Sequence, residues 1–175
     1  MKFFILILAV PAIAAAPPIV RAQSHGTPHE HHTQRDTAFS EMQRRGQNAM
    51  GVDQYTSAHI FEALAYGGRI VLQAAPTDTA AVARIRAHFR LIARAFARGD
   101  FAIPGFVHAG EVPGTRVMTA RRKAIRFLVS DLPLGAEMRI TTRDKKALRA
   151  IREFLAFQRR EHHTASGGRC PPEHA

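Results

Sequence analysis

The chain has 175 residues, a length that suits one globular domain, and a formal net charge of +11 at pH 7. Its single cysteine, Cys170, excludes an intramolecular disulfide. No segment after the amino terminus approaches the roughly 20 apolar residues of a membrane-spanning helix. The composition therefore excludes a disulfide-stapled scaffold and predicts a basic domain with no transmembrane anchor.

The amino terminus predicts export. Lys2 precedes an apolar run, and Val20-Arg21-Ala22 resembles a cleavage site, so residues 1–22 are expected to be a signal peptide. Cleavage removes Lys2 and Arg21 and no acid, which lowers the formal charge from +11 to +9. We expect a periplasmic or secreted protein.

Residues 23–35 form a polar segment that has no apolar content to bury, and we predict that it is disordered. It holds four histidines: His25, His29, His31 and His32. Cleavage after Ala22 would make His25 the third residue of the mature chain. There the terminal amine, two backbone amides and the His25 imidazole form a square-planar site suited to Cu(II) or Ni(II). The tail is therefore a secondary candidate metal site.

A single domain is predicted over residues 36–163, followed by a flexible tail at 164–175. It begins with a short helix over 36–49 that Asp36 caps. Two similar units follow, at 58–98 and 124–163, joined by a connector at 99–123 that is rich in proline and glycine.

Each unit is predicted to be strand, turn, strand, helix. The first has strands at 58–64 and 69–74 around Gly67-Gly68, and the second has strands at 124–130 and 136–142. Asp78 or Thr79 is expected to cap the first helix, and Asp144 is expected to cap the second. Because one hairpin and one helix bury little alone, we expect an α+β fold in which the units form a four-stranded, largely antiparallel sheet with both helices on one face.

The two units differ at positions that should be buried. Aligned by their apolar residues, the units match His59 with Ile125 and His88 with Phe154. A buried imidazole needs a hydrogen-bond partner or a ligand. The mismatch therefore predicts a site inside the fold.

Two more histidines are predicted to point inward, His108 in the connector and His162 on the second helix. With His59 and His88 they make four inward imidazoles. Imidazole clusters bind Zn, Cu, Fe or Ni, and a thioether shifts the preference toward copper or haem iron. Met118 is the expected thioether, with Met50 also available. The sequence favours an exported metal-binding protein, with copper preferred, or a haem-binding protein; each histidine is alternatively an ordinary hydrogen-bonded core residue.

A row of arginines on the first predicted helix supports a different hypothesis about function. Arg86, Arg90 and Arg94 recur every four residues along the first helix, where like charges repel unless an anion intervenes. The alternative function is a metal-free basic module for an anionic ligand or an envelope partner, and a merely solvated basic surface also explains the row. Export and the lack of interleaved aromatics disfavour nucleic acid. No catalytic motif is present, so a binding protein is favoured over an enzyme.

Several segments occur together across nearly the whole predicted domain. They are Met50-Gly51-Val52-Asp53-Gln54-Tyr55-Thr56-Ser57-Ala58-His59-Ile60-Phe61, Gly67-Gly68-Arg69-Ile70, Ile85-Arg86-Ala87-His88, Gly99-Asp100-Phe101, His108 with Val112-Pro113-Gly114-Thr115, and Phe154-Leu155-Ala156-Phe157-Gln158 through Glu161-His162. In this combination the chain resembles a family of small exported bacterial proteins whose function is not established. The resemblance adds weight to His59, His88, His108 and His162 as a set.

Some members of that family carry the name aspartate carbamoyltransferase. This sequence does not support such an activity, because it lacks a Ser-Thr-Arg-Thr-type carbamoyl-phosphate loop. Thr141-Thr142-Arg143 is predicted only as a strand end, and the chain is too short for that enzyme's two domains.

Overall fold

A computed structural model describes residues 28–52 and 57–164. The predicted signal peptide at 1–22, His25 and Cys170 lie outside these residues, as do the side chains of His29, His31 and His32. Within the part of the chain that is described, no helix has both the length and the apolar content needed to cross a membrane.

Five α-helices, a short 3-10 turn and four strands make up the described chain. In order they are α1 (Pro28–Met50), β1 (Ala58–Leu64), β2 (Gly67–Gln73), α2 (Thr79–Ala97), α3 (Ala102–Val107), α4 (Thr115–Ala120), the 3-10 turn Arg122–Ala124, β3 (Ile125–Leu132), β4 (Gly135–Thr142) and α5 (Lys145–Glu161). The strands form one antiparallel sheet in the order β1-β2-β4-β3. The predicted α+β fold with a four-stranded antiparallel sheet is confirmed.

One face of the sheet carries the core. Met138 and Ile140 are fully buried beneath α2 and α5, whereas Arg139 between them lies on the opposite face in an ion pair with Glu137. Each helix packs mainly on the other unit's hairpin: α2 lies over β3 and β4, and α5 lies over β1 and β2. The two units are therefore interlocked across the centre of the sheet.

The two units are related by an approximate two-fold axis through the sheet. Ile70 pairs with Met138, and the two residues hold equivalent positions in their hairpins. The guanidinium of Arg86 on α2 donates to the Leu132 carbonyl at 2.6 Å, and Arg152, its equivalent on α5, lies 3.4 Å from the Ala65 carbonyl. Each helix thus reaches the turn of the opposite hairpin.

Gly67 and Gly68 belong to β2, although the sequence predicts them to form the hairpin turn, which instead occupies residues 65–66. Gly67 has a φ of 152°, and a Cβ there would collide with the carbonyl of Ile140 on β4. A Cβ on Gly68 would collide with the Leu155 side chain on α5. These glycines therefore permit close approach between layers of the core.

Helix α1 begins at Pro28, eight residues before the predicted cap at Asp36. Residues 28–35 are therefore helical, and the prediction that they are disordered was wrong. Proline is well placed in a first helical turn because the donor it lacks has no intrahelical partner there. Further along α1, Arg45 donates to the carbonyl of Val107 at 2.8 Å and so joins α1 to α3.

Candidate functional site

A cavity of about 100 Å³ lies between the sheet, α2, α5 and the connector helix α3. Its wall is mostly aliphatic and aromatic, with contributions from residues such as Leu72 and Phe89. The polar side chains on the wall are His59, His88, His108, His162 and Gln158. The fold thus brings all four predicted core histidines to one space, which we call the histidine cavity.

Each histidine reaches the cavity from a different element. His59 lies on the helix-facing side of β1, opposite Leu72 in the register. His88 lies on α2, and His108 and His162 are the carboxyl-terminal caps of α3 and α5. Four elements that are distant in sequence therefore converge on the cavity.

Three of the four rings form a chain centred on His162. Its ring centroid lies 5.5 Å from that of His59 and 5.3 Å from that of His108. Two imidazoles that share a tetrahedral metal at roughly 2.0–2.1 Å per bond have centroids about 5 Å apart. The ring spacing is thus close to that of a shared ion.

Hydrogen bonds orient two of these rings. His108 Nε2 lies 3.0 Å from the Gln158 carbonyl oxygen, Oε1, which only accepts, so Nε2 is the donor. The lone pair of a neutral His108 is therefore on Nδ1. His59 Nε2 lies 3.1 Å from the Ser57 hydroxyl. Metal-binding histidines commonly use one ring nitrogen in this way while the other holds the metal.

Burial keeps the cavity imidazoles neutral. It lowers the pKa of His59 and of His88 to about 4. Burial, and secondarily the nearby rings of His59, His108 and His163, lower the pKa of His162 to about 3, and the pKa of His108 also falls through burial. At neutral pH the rings are therefore uncharged, and no added proton competes with a ligand for the lone pair of each imidazole.

The histidine cavity has a phenylalanine counterpart in the other half of the fold. The caps Asp78 and Asp144 are 66 residues apart, and this spacing places His88 at the position of Phe154 and His162 at that of Phe96. The hairpin registers place His59 at the position of Phe127. Three histidines thus replace three phenylalanines that pack against one another.

This register corrects one detail of the sequence alignment, which pairs His59 with Ile125. The pairing His59↔Leu72 corresponds to Phe127↔Ile140, two residues further along. The same comparison identifies Gln158, a polar residue where the first unit has Ile92. The sequence analysis assigns Gln158 no role. The signal for it is the 66-residue spacing of the helix caps Asp78 and Asp144, which aligns Gln158 with Ile92.

Met50, not Met118, supplies the thioether on the cavity wall. Met118 is fully buried in the hydrophobic core and is not among the lining residues. In the part of the chain that the structure describes, no three His, Cys, Asp or Glu side chains are arranged to hold one metal ion as they stand. Metal binding therefore requires rotation of at least one ring.

The predicted anion row is largely engaged within the protein. Nη2 of Arg90 lies 2.7 Å from each carboxylate oxygen of Asp131. Nε of Arg86 lies 3.7 Å from the same carboxylate. Arg94 is exposed in the last turn of α2. Asp131 and the β3–β4 turn thus compensate two of the three like charges.

Comparison with protein-family models, curated proteins and solved structures found no match. The family resemblance drawn from the sequence motifs therefore stays a prediction.

Proposed function

We propose that this chain is an exported protein that binds a transition metal ion, with copper favoured, in the histidine cavity. The observation that carries the proposal is the replacement of two packed phenylalanines, Phe127 and Phe96, by His59 and His162, whose rings lie together on the cavity wall. Phenylalanine fills these positions in the other half of the molecule, so packing alone does not require imidazole there.

The donor set supports copper over harder ions. The proposed ligands are His59, His108 and His162, with the Met50 thioether on the same wall. Among the described residues that line the cavity there is no carboxylate. Imidazole and thioether without carboxylate suit copper and disfavour calcium and magnesium.

The cost of reorganising the site is small compared with the gain. Turning His59 or His108 exchanges one hydrogen bond for a metal bond, at about 1 kcal/mol for each bond lost. A structural zinc site in a small domain supplies about 10–16 kcal/mol at pH 7. The present hydrogen bonds are therefore compatible with metal binding.

The size of the cavity favours an ion over haem. A volume of about 100 Å³ is well below the roughly 300–1,000 Å³ of pockets that hold drug-sized ligands. Haem therefore requires a substantial opening of the core, whereas a copper ion does not.

The hydrogen-bonded rings favour a second candidate, a small uncharged organic molecule. The apolar wall would bury such a ligand, and the imidazoles and Gln158 would fix its orientation by hydrogen bonds. Metal-free protein that retains an organic molecule through purification, identified by mass spectrometry, would support this candidate over copper.

The test of copper binding isolates the cavity from the tail. In a chain whose tail histidines His25, His29, His31 and His32 are replaced by glutamine, we expect one Cu(I) per protein under reducing conditions, measured by elemental analysis after dialysis. His162→Phe, which imports the residue that the first unit carries at Phe96, should abolish this binding and preserve the fold.

His163→Asn is the matched control, because His163 adjoins His162 but is exposed and stacks on Phe39 outside the cavity. Asparagine tolerates the positive φ of 52° at this position. Equal loss of copper in both variants, or no copper in the parent chain, would overturn the proposal.

A further inference from the structure

A second and larger hollow lies at one end of the sheet, where β3 begins and β4 runs into α5. It has a volume of about 900 Å³, and its wall includes Tyr66, Arg126, Thr141, Arg143 and Asp144. We call it the basic cleft. It shares no lining residue with the histidine cavity.

The strand register explains how the cationic side chains come together. Arg126 on β3 stands directly opposite Thr141 on β4. Arg143 lies just beyond the end of β4 at Thr142, in the bend that leads into α5. This end of the hairpin therefore places Arg126, Thr141 and Arg143 on the wall of one cleft.

The two arginines of the cleft differ from their neighbours on the same face. Arg69 lies 2.9 Å from Glu62, and Arg139 lies 2.7 Å from Glu137. By contrast, over residues 28–52 and 57–164 neither Arg126 nor Arg143 makes an ion pair or a side-chain hydrogen bond. Their positive charges are uncompensated.

The one acid in the cleft wall does not neutralise them. Asp144 is held by Arg121 at 2.6 Å and accepts hydrogen bonds from the backbone amides of Lys146 and Ala147 at the start of α5. Exposed Lys123 and Lys145 add positive charge nearby. The cleft therefore has a net positive charge that an anion would complement.

We infer that the basic cleft is a binding site for a phosphate-bearing anion. Two guanidinium groups provide several N–H donors, and arginine matches the planar donor geometry that phosphate oxygens accept. The hydroxyls of Tyr66 and Thr141 supply neutral donors on the same wall. The volume admits a phosphorylated small molecule or a lipid head group, which present the same chemistry.

Titration of the purified chain with pyrophosphate, followed by calorimetry at low ionic strength, tests this inference. We expect saturable one-to-one binding that weakens as salt is added, because exposed charges are screened. The double variant R126Q/R143Q should weaken binding by about tenfold or more, since each charge-assisted hydrogen bond is a strong one. Both side chains are exposed, so circular dichroism should show an unchanged fold.

The control is the double variant R44Q/R98Q, which removes the same charge from two exposed arginines outside the cleft, one on α1 and one at the carboxyl-terminal cap of α2. Co-sedimentation with phosphatidylglycerol vesicles forms the second arm and separates a lipid source from a soluble one. Cleft-dependent binding in either arm supports the inference. No saturable binding in either arm, or equal weakening by the two double variants, overturns it.

Discussion

The ring of His162 lies 5.5 Å from the ring of His59, nearly the 5.7 Å that separates their counterparts Phe96 and Phe127 in the other half of the fold. The two ring pairs thus occupy similar space within one core, but only the histidine pair offers lone pairs. Because phenylalanine is already tolerated at the equivalent positions, histidine-to-phenylalanine changes separate a chemical role from a packing role.

His88→Phe should preserve copper binding and raise the melting temperature. His88 lines the cavity but is outside the ring chain of His59, His162 and His108. Across residues 28–52 and 57–164 its ring makes no hydrogen bond. Replacing a desolvated polar group of this kind by an apolar one is often neutral or stabilising. Differential scanning calorimetry and elemental analysis measure the two effects.

The opposite outcome is equally informative. If His88→Phe lost the metal while the melting temperature of the metal-free protein changed little, His88 would belong to the ligand set. In that variant, added copper would no longer raise the melting temperature, because only binding to the native state does so.

Acid should destabilise the metal-free protein between about pH 6.5 and pH 4. The folded-state pKa of His59 is about 4 and that of His162 about 3, below the ordinary value of 6.5. In this window the unfolded chain binds more protons than the native chain, so stability rises with pH and levels off above about 6.5. Urea unfolding across the window should show a loss of at least about 2 kcal/mol. His162→Phe should flatten the curve.

The cavity and the tail should respond differently to pH when they bind copper. At pH 5.5 the cavity imidazoles are still neutral, because burial has lowered the pKa of His59 to about 4. An exposed histidine with an ordinary pKa near 6.5 is mostly protonated there. The chain whose tail histidines are replaced by glutamine should therefore retain its copper at pH 5.5. Release of the metal in step with an ordinary histidine titration would contradict the cavity assignment.

Gly67→Ala should destabilise the fold severely, by about 3 kcal/mol or more. The change adds a Cβ that collides with the Ile140 carbonyl, at a φ of 152° that L side chains rarely adopt. Gly110→Ala is the control, because a Cβ at Gly110 meets nothing within 4 Å. Denaturant unfolding of both variants should give a large difference. Similar midpoints would mean that β2 and β4 separate more easily than their register implies.

The tail makes an independent prediction. Mature protein that begins at Gln23 should bind one Cu(II) with a four-nitrogen spectrum, and His25→Ala should abolish that spectrum without affecting the cavity. Mass spectrometry that found pyroglutamate at Gln23, or another amino terminus, would remove the tail site.

Local chemistry made much of the fold predictable. Asp78 and Asp144 mark helix starts by their capping side chains, and the hairpin signal around Gly67-Gly68 predicts the bounds of β1 without error. The alignment of His59 was off by two residues because alternation has a period of two, so such a shift keeps every side chain on the same face. Only the cross-strand register distinguishes Ile125 from Phe127.

Long-range pairing accounts for what the sequence could not predict. The charge row on α2 indicates an anion partner, but that partner is Asp131, 41 residues beyond Arg90 and brought there by the crossing of α2 over the second hairpin. Met118 is the thioether that the sequence predicts, with Met50 also available, but Met50 lines the cavity. Their distances from the cavity depend on how α1 and α4 dock, which no local pattern specifies.

Because α2 covers the second hairpin and α5 covers the first, neither unit could shield its own strands if it were synthesised alone. The single chain is therefore arranged like a dimer of two similar units that the connector joins. In a true homodimer, any substitution would change both symmetric sites together and would put imidazoles into both halves of the core. A single chain is free of that constraint, so one half of the core can remain packed with phenylalanine while the other half diverges. Selection for a ligand would therefore be visible as a difference between the two halves, with histidine in one where the other has phenylalanine.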